Sequence, residues 1–294
     1  MKNTHIILSA VIVLILMPFS KAQNANIQIN PSAPWNTCVL RAIELMPEGG
    51  GYATNLAALD GLSKAVQINK NVLEVDAKSA TPSFCSGATY LVFTKVIEQL
   101  SKQHIIRFSD DEPQRMKVNR QADGVGVWGR WNANGPGVAI LFHETGLGLN
   151  FESFDEALPG DFMKIFWTDQ IGAKEFGHVV VYLGKRTDAN GTTVVKFWSS
   201  NQPGGYSAKE VPMSKIHWAI FSRMLKPTQI SALPVLASID QTSQKMLKRS
   251  FTQAEVRILV GMTTPKDFNP ATLPRVKIMP TPTPQGENMK RSSN

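Results

Sequence analysis

Two side chains in this sequence can supply a nucleophile and the base that activates it: the thiol of Cys85 and the imidazole of His178. Cys85 stands near the start of SATPSFCSGATYLVFTKVIEQL, residues 79–100. There Val92, Phe93, Val96, Ile97 and Leu100 recur at helical spacing, and Tyr90 and Leu91 broaden the apolar face. Pro82 and Ser83 mark the helix start, with Ser83 expected as the N-cap, which puts the thiol in the first turn. At that end the peptide dipoles favour thiolate over thiol, and free backbone amides can hold an oxyanion. The same residue can also be a plain buried cysteine, or half of a disulfide with Cys38, because the chain has only two cysteines.

A thiolate needs a base, and the base needs a group that fixes its orientation. His178 follows Gly177 and opens HVVVYLG, residues 178–184, a strand apolar on both faces; TTVVKFWSSN, residues 192–201, reads as the next strand after an Asn190-Gly191 turn. A regular hairpin pairs Leu183 with Thr192 and His178 with Phe197, so that the odd-numbered residues of the second strand share the face of His178. Ser199 and Asn201 lie on that face, and either can orient the imidazole; a slip of one residue substitutes Ser200. Glu175, just before the histidine, is placed to tune it or to touch substrate.

DGVGVWGRWNANGPG, residues 123–137, holds a Gly124-x-Gly126-x-x-Gly129 pattern. No strand precedes it and Trp128 blocks the approach of a pyrophosphate, so a dinucleotide site is excluded. Trp128, Arg130 and Trp131 form either an exposed substrate-recognition surface or a loop folded back with its rings in the core. His104, His143 and His217 stand alone, and neither HExxH nor GxSxG occurs. Neither a metal site, another cofactor nor a serine nucleophile is therefore expected.

The elements that must hold these groups come in two blocks. A helix is expected from Asn36 or Thr37 to Leu45, ended by Pro47-Glu48-Gly49-Gly50-Gly51, and a second from about Ala53 to Ile68; Cys38 on the first reads as a packing residue. After the Cys85 helix come strands at 160–167, 178–184, 192–201 and 216–225. Helices followed by an antiparallel sheet make an α+β layout. Helices are expected again at 241–248 and 252–260.

The residues resemble the NlpC-type cell-wall peptidases and the related cysteine, histidine-dependent amidohydrolases/peptidases (CHAP), which are papain-like in fold. The resemblance rests on Phe84-Cys85-Ser86-Gly87 opening an apolar helix, Leu158-Pro159-Gly160-Asp161 leading into an apolar strand, and Gly177-His178-Val179-Val180-Val181-Tyr182-Leu183-Gly184. It covers about residues 79–225. The chain departs from it at Phe84, where the NlpC branch commonly has Asp, and in lacking a second histidine on the third strand. The resemblance implies that Cys85, His178 and one of Ser199 or Asn201 hydrolyse peptide amides of bacterial peptidoglycan.

Lys2 and His5, the apolar run 6–19 and Ser20-Lys21-Ala22 read as a signal peptide over residues 1–22, which implies a secreted or periplasmic protein with no membrane span after cleavage. The expected organisation is then a catalytic domain over 23–226 with an insert at about 101–158, a helical appendage over 227–278 and a disordered Pro/Thr-rich tail over 279–294. The 294 residues are 43% hydrophobic and 8% aromatic, enough for a substantial core. Loss of Lys2 and Lys21 lowers the formal charge from +8 to +6, which suits an anionic partner; the basic residues are scattered, so nucleic acid is not expected. A regulatory or immunity protein is a conceivable partner without a motif of its own. The rival to an enzyme is a binding protein on the same scaffold, with Cys38 and Cys85 bridged; among enzymes it is a papain-like or transglutaminase-like activity on protein.

Overall fold

The computed structural model describes residues 30–262 except Asp110 and Ala232. The expected signal segment, the tail and residues 263–278 lie outside the described residues. The elements run α1 (Asn36–Glu44), β1 (Gly49–Gly50), α2 (Leu56–Ala65), β2 (Val66–Asn69), β3 (Val72–Val75), α3 (Cys85–Lys102), α4 (Gly126–Trp131), α5 (Gly137–Thr145), β4 (Gly148–Phe151), β5 (Phe162–Phe166), β6 (Gly177–Thr187), β7 (Thr193–Asn201), β8 (Gly205–Pro212), β9 (Trp218–Met224), α6 (Leu233–Ala237), α7 (Gln241–Met246) and α8 (Gln253–Leu259). Seven strands form one sheet in the order β1-β8-β7-β6-β5-β9-β4, and every pair is antiparallel. The α+β class and the central antiparallel sheet agree with the sequence.

Helix α3 is the core helix because its apolar residues surround it. Every residue from Ser86 to Thr94 is buried, and it packs on β6 and β7 with α1 alongside. Its hydroxyls cost little to bury: Thr89 Oγ1 donates to the Cys85 carbonyl at 3.0 Å and Thr94 Oγ1 to the Tyr90 carbonyl at 2.9 Å. Each large apolar side chain buried here contributes about 1.5–3 kcal/mol.

Three expectations are corrected. Ser83 is not the N-cap of α3. Phe84 occupies that position and no side chain caps the helix, because the Ser83 backbone is engaged with Gly51 and Ala53. The second helix stops at Ala65, and Val66 to Val75 form the β2–β3 hairpin around Lys70 and Asn71, both in the left-handed region. The stretch 123–137 is not an open loop, since residues 126–131 and 137–145 are helical. Strands β4 and β8, which carry no clean apolar alternation, were not expected.

The LPGD turn leads into β5 and is held by charge. Asp161 accepts Nε and Nη2 of Arg223 from β9 at 2.8 and 2.7 Å, Asn36 Nδ2 from α1 at 2.8 Å and the Leu158 amide at 2.8 Å. Helices α7 and α8 are fastened to the body: Met246, Phe251, Val256 and Val260 pack with Ile171, Phe166, Trp218 and Ile220. Thr252 and Glu255 form a capping box on α8.

Candidate active site

Cys85 is the first residue of α3 and is partly exposed. The start of β6 and the end of β7 bring His178 and Asn201 to it. The hairpin register differs from the regular one. At its outer end Thr187 pairs with Thr193 and Gly184 with Lys196, but a bulge at Leu183 shifts the ladder so that Tyr182 pairs with Phe197 and Val181 with Trp198. Continued inward without the bulge, the outer register would set His178 opposite Gln202. The shift sets Asn201 there and keeps the odd-numbered residues on the histidine's face. Accordingly His178 Nε2 lies 3.1 Å from Asn201 Oδ1, and the His178 ring packs on Phe197 at 5.7 Å.

The Asn201 amide is oriented by its own bonds. Nδ2 donates to the Ser207 carbonyl at 2.9 Å, Ser207 Oγ at 3.2 Å and the Ser199 carbonyl at 3.3 Å, which leaves Oδ1 to accept Nε2–H of His178. That tautomer leaves the lone pair on Nδ1, the nitrogen free to take the thiol proton. Ser199 is placed otherwise than expected: fully buried, it donates to the Val179 carbonyl at 2.8 Å and makes no bond to the imidazole. Ser200 donates to the Ser83 carbonyl at 3.0 Å, which fixes the segment leading into α3.

Burial pushes the Cys85 thiol up, but the hydrogen bond and charge of His178, the Val179 N–H and the charge of Lys164 draw it down to about 7, below the ordinary thiol value. Lys164, on β5 opposite Val179, is itself buried and paired with Glu175. Glu175 does not line the cleft; its Oε2 accepts the amides of Gly135 at 2.6 Å and Gly172 at 3.1 Å. Its place is under the site, anchoring the lysine.

Tyr52 completes the cluster and was not found from sequence. It follows Gly49, Gly50 and Gly51, all at positive φ, which let the chain turn back along Ser83. Burial, then the charge and hydrogen bond of Cys85, push its hydroxyl up to about 12, so it stays protonated and donates to the sulfur. No spacing signal points to it. A cleft of about 310 Å³ opens beside these groups, lined by Tyr52, His178 and Asn201 together with Trp167, Phe176 and Lys209.

The expected recognition residues are elsewhere. Trp128 and Trp131 are 2% and 1% exposed: Trp131 stacks on Phe93 at 4.8 Å and donates Nε1 to the Ser86 carbonyl at 3.2 Å, and Trp128 packs on Tyr90 at 5.0 Å. Arg130 is buried, donating to the carbonyls of Gly124, Gly126, Val235 and Ser238 and pairing with Glu144 at 2.6 Å. Their apolar contacts and spent donors make them core, not substrate, residues. Both cysteines are free thiols, which removes the expected alternative of a Cys38–Cys85 bridge. Among the described residues no group of three His, Cys, Asp or Glu could hold a metal ion, and no helix is long and apolar enough to cross a membrane.

The fold and site thus define an α+β protein with a thiol, an imidazole and a carboxamide gathered where two central strands of an antiparallel sheet meet the start of a helix. No protein-family model, curated protein or solved structure matches the chain.

Proposed function

We propose that the protein is a cysteine peptidase or amidase of papain-like, NlpC/CHAP type that hydrolyses amide bonds in peptidoglycan peptides outside the cytoplasm. The arrangement that supports the reaction class is the Cys85 thiol at the start of α3 beside His178, whose Nε2 lies 3.1 Å from Asn201 Oδ1, the imidazole drawing the thiol down to about 7. The wall substrate and the export rest on the sequence resemblance, the signal-like N-terminus and the positive charge.

In the proposed reaction the Cys85 proton passes to Nδ1 of His178, and the thiolate attacks the amide carbonyl carbon. The resulting oxyanion is met by the uncapped amides of α3. Collapse breaks the C–N bond as His178 protonates the leaving amine, and a thioester remains. Water then attacks the thioester as it gives a proton to His178; the C–S bond breaks, His178 returns that proton to the departing sulfur, and the acid and the free thiol are released. Asn201 keeps the imidazole in line throughout, and Tyr52 donates to the sulfur in the resting site.

The test is release of soluble peptides from purified peptidoglycan. Digestion by the wild type that is lost in Cys85→Ala is expected; full digestion by Cys85→Ala would end the proposal. The rival reading, a binding protein with Cys38 and Cys85 bridged and the Trp128 to Trp131 stretch as its recognition surface, is favoured less, since those tryptophans are buried and the thiols unbridged.

A further inference from the structure

The cleft beside His178 has a chemistry that the catalytic groups do not use. Trp167, Phe176 and Phe197 form its apolar wall, Lys209 and Gln202 line it too, and no carboxylate does. Phe176 is 66% exposed, and an open aromatic ring continuous with a concave apolar wall is characteristic of a ligand site. Lys209 is exposed and without an ion pair among the described residues, whereas its neighbour Glu210 is taken by Arg186 at 2.5 Å. The cleft therefore presents an apolar surface and one uncompensated positive charge.

Register fixes where that charge lies. Lys209 is opposite Phe197 in the β7–β8 ladder and Gly205 is opposite Asn201. Four residues of strand thus separate the backbone of Lys209 from that of the Asn201 row, about 13 Å at roughly 3.3 Å per residue, while the His178 ring leans toward Phe197 at 5.7 Å. His178, which lines the cleft, is the group positioned to protonate a departing amine.

We propose that this cleft is the leaving-side subsite, and that it takes a short peptidyl amine with an apolar side chain against Phe176 and Trp167 and a carboxylate, within about four residues of the scissile bond, bound by Lys209. The carboxylate is either a free C-terminus or an acidic side chain; the lysine reads the same charge in both. The inference rests on the hydrolase reading only in assigning the cleft to the leaving half.

The experiment is titration calorimetry on full-length Cys85→Ala with three probes: the tripeptide Ala-Phe-Ala, its C-terminal amide, and Ala-Phe-Glu amide. At least one carboxylate probe is expected to bind about fivefold more tightly than the neutral one, the size of an exposed ion pair. Both doing so means that charge alone is read; one alone identifies the source. Lys209→Met, with Lys209→Gln as a second variant, should abolish the preference, while Phe176→Ser should weaken all three probes and keep their ratio. Equal binding of charged and neutral probes, a preference that survives loss of Lys209, or no binding by any probe would overturn the subsite. Peptidoglycan digestion reports separately on the reaction: a Lys209-dependent preference without Cys85-dependent hydrolysis keeps the subsite and removes the hydrolase, and the converse keeps the hydrolase alone.

Discussion

Cys85 owes its lowered pKa to its neighbours. Burial opposes ionisation, and His178, the Val179 amide and Lys164 together outweigh it. The thiolate is the alkylating form, so iodoacetamide labelling of Cys85 should rise as pH climbs through about 7. His178→Ala removes the two largest lowering causes, and the same rise should then occur at higher pH, which residue-resolved mass spectrometry would show. If the peptidase reading holds, His178→Ala also lowers kcat/KM by roughly 10²–10⁴-fold, the usual worth of a general base. Asn201→Ala, which only releases the imidazole from its orientation, should cost less, up to about 10²-fold. Cys85 and His178 were legible in sequence because a helix start and a strand start are local patterns. Tyr52 was not, because three glycines carry it to the sulfur by a turn that apolar periodicity does not encode.

At the scale of elements, the site depends on one irregularity in the β6–β7 hairpin. The sequence reading assumed a regular ladder and paired His178 with Phe197, four residues short of Asn201; an even error keeps the face, so the candidates survived while the partner was misjudged. Two glycines of β6 separate the causes of strand geometry. Gly184 sits at φ +126 with open space around a would-be Cβ, so Gly184→Ala should cost roughly 1–3 kcal/mol of backbone strain and, with the inner register beyond Tyr182 kept, leave Cys85 labelling unchanged. Gly177 has ordinary φ but no room: a Cβ would lie 2.8 Å from Glu175 Oε1 and 3.0 Å from Lys164 Cε. Gly177→Ala should displace that ion pair and slow labelling near neutral pH. Equal labelling by the two variants would refute the distinction.

Across the whole molecule, stability and chemistry are carried by different buried charges. The Asp161–Arg223 pair joins α1, the LPGD turn and β9, and neither residue is among the groups that shift the thiol. Asp161→Asn leaves the guanidinium uncompensated and should lower unfolding free energy by about 3–5 kcal/mol in a denaturant titration. Arg130→Met should likewise weaken the fold, by freeing the carbonyls of Val235 and Ser238, with Cys85 reactivity intact in the folded protein. The α+β class was legible because strongly apolar strands announce themselves. The burial of Trp128, Arg130 and Trp131 was not, because glycine-rich composition reads as loop while tertiary contacts with Tyr90 and Phe93 favour helix α4.

Burial pushes the Cys38 thiol up, with only partial relief from Arg41, while Cys85 is drawn down. Every molecule therefore carries a quicker thiol and a slower one in fixed one-to-one amount. The logarithm of the unmodified fraction at Cys85 divided by the logarithm of that at Cys38 is the ratio of their two rate constants, a self-calibrating gauge independent of protein concentration and reagent decay, with which inhibitors of the site can be ranked in crude mixtures before any substrate is in hand.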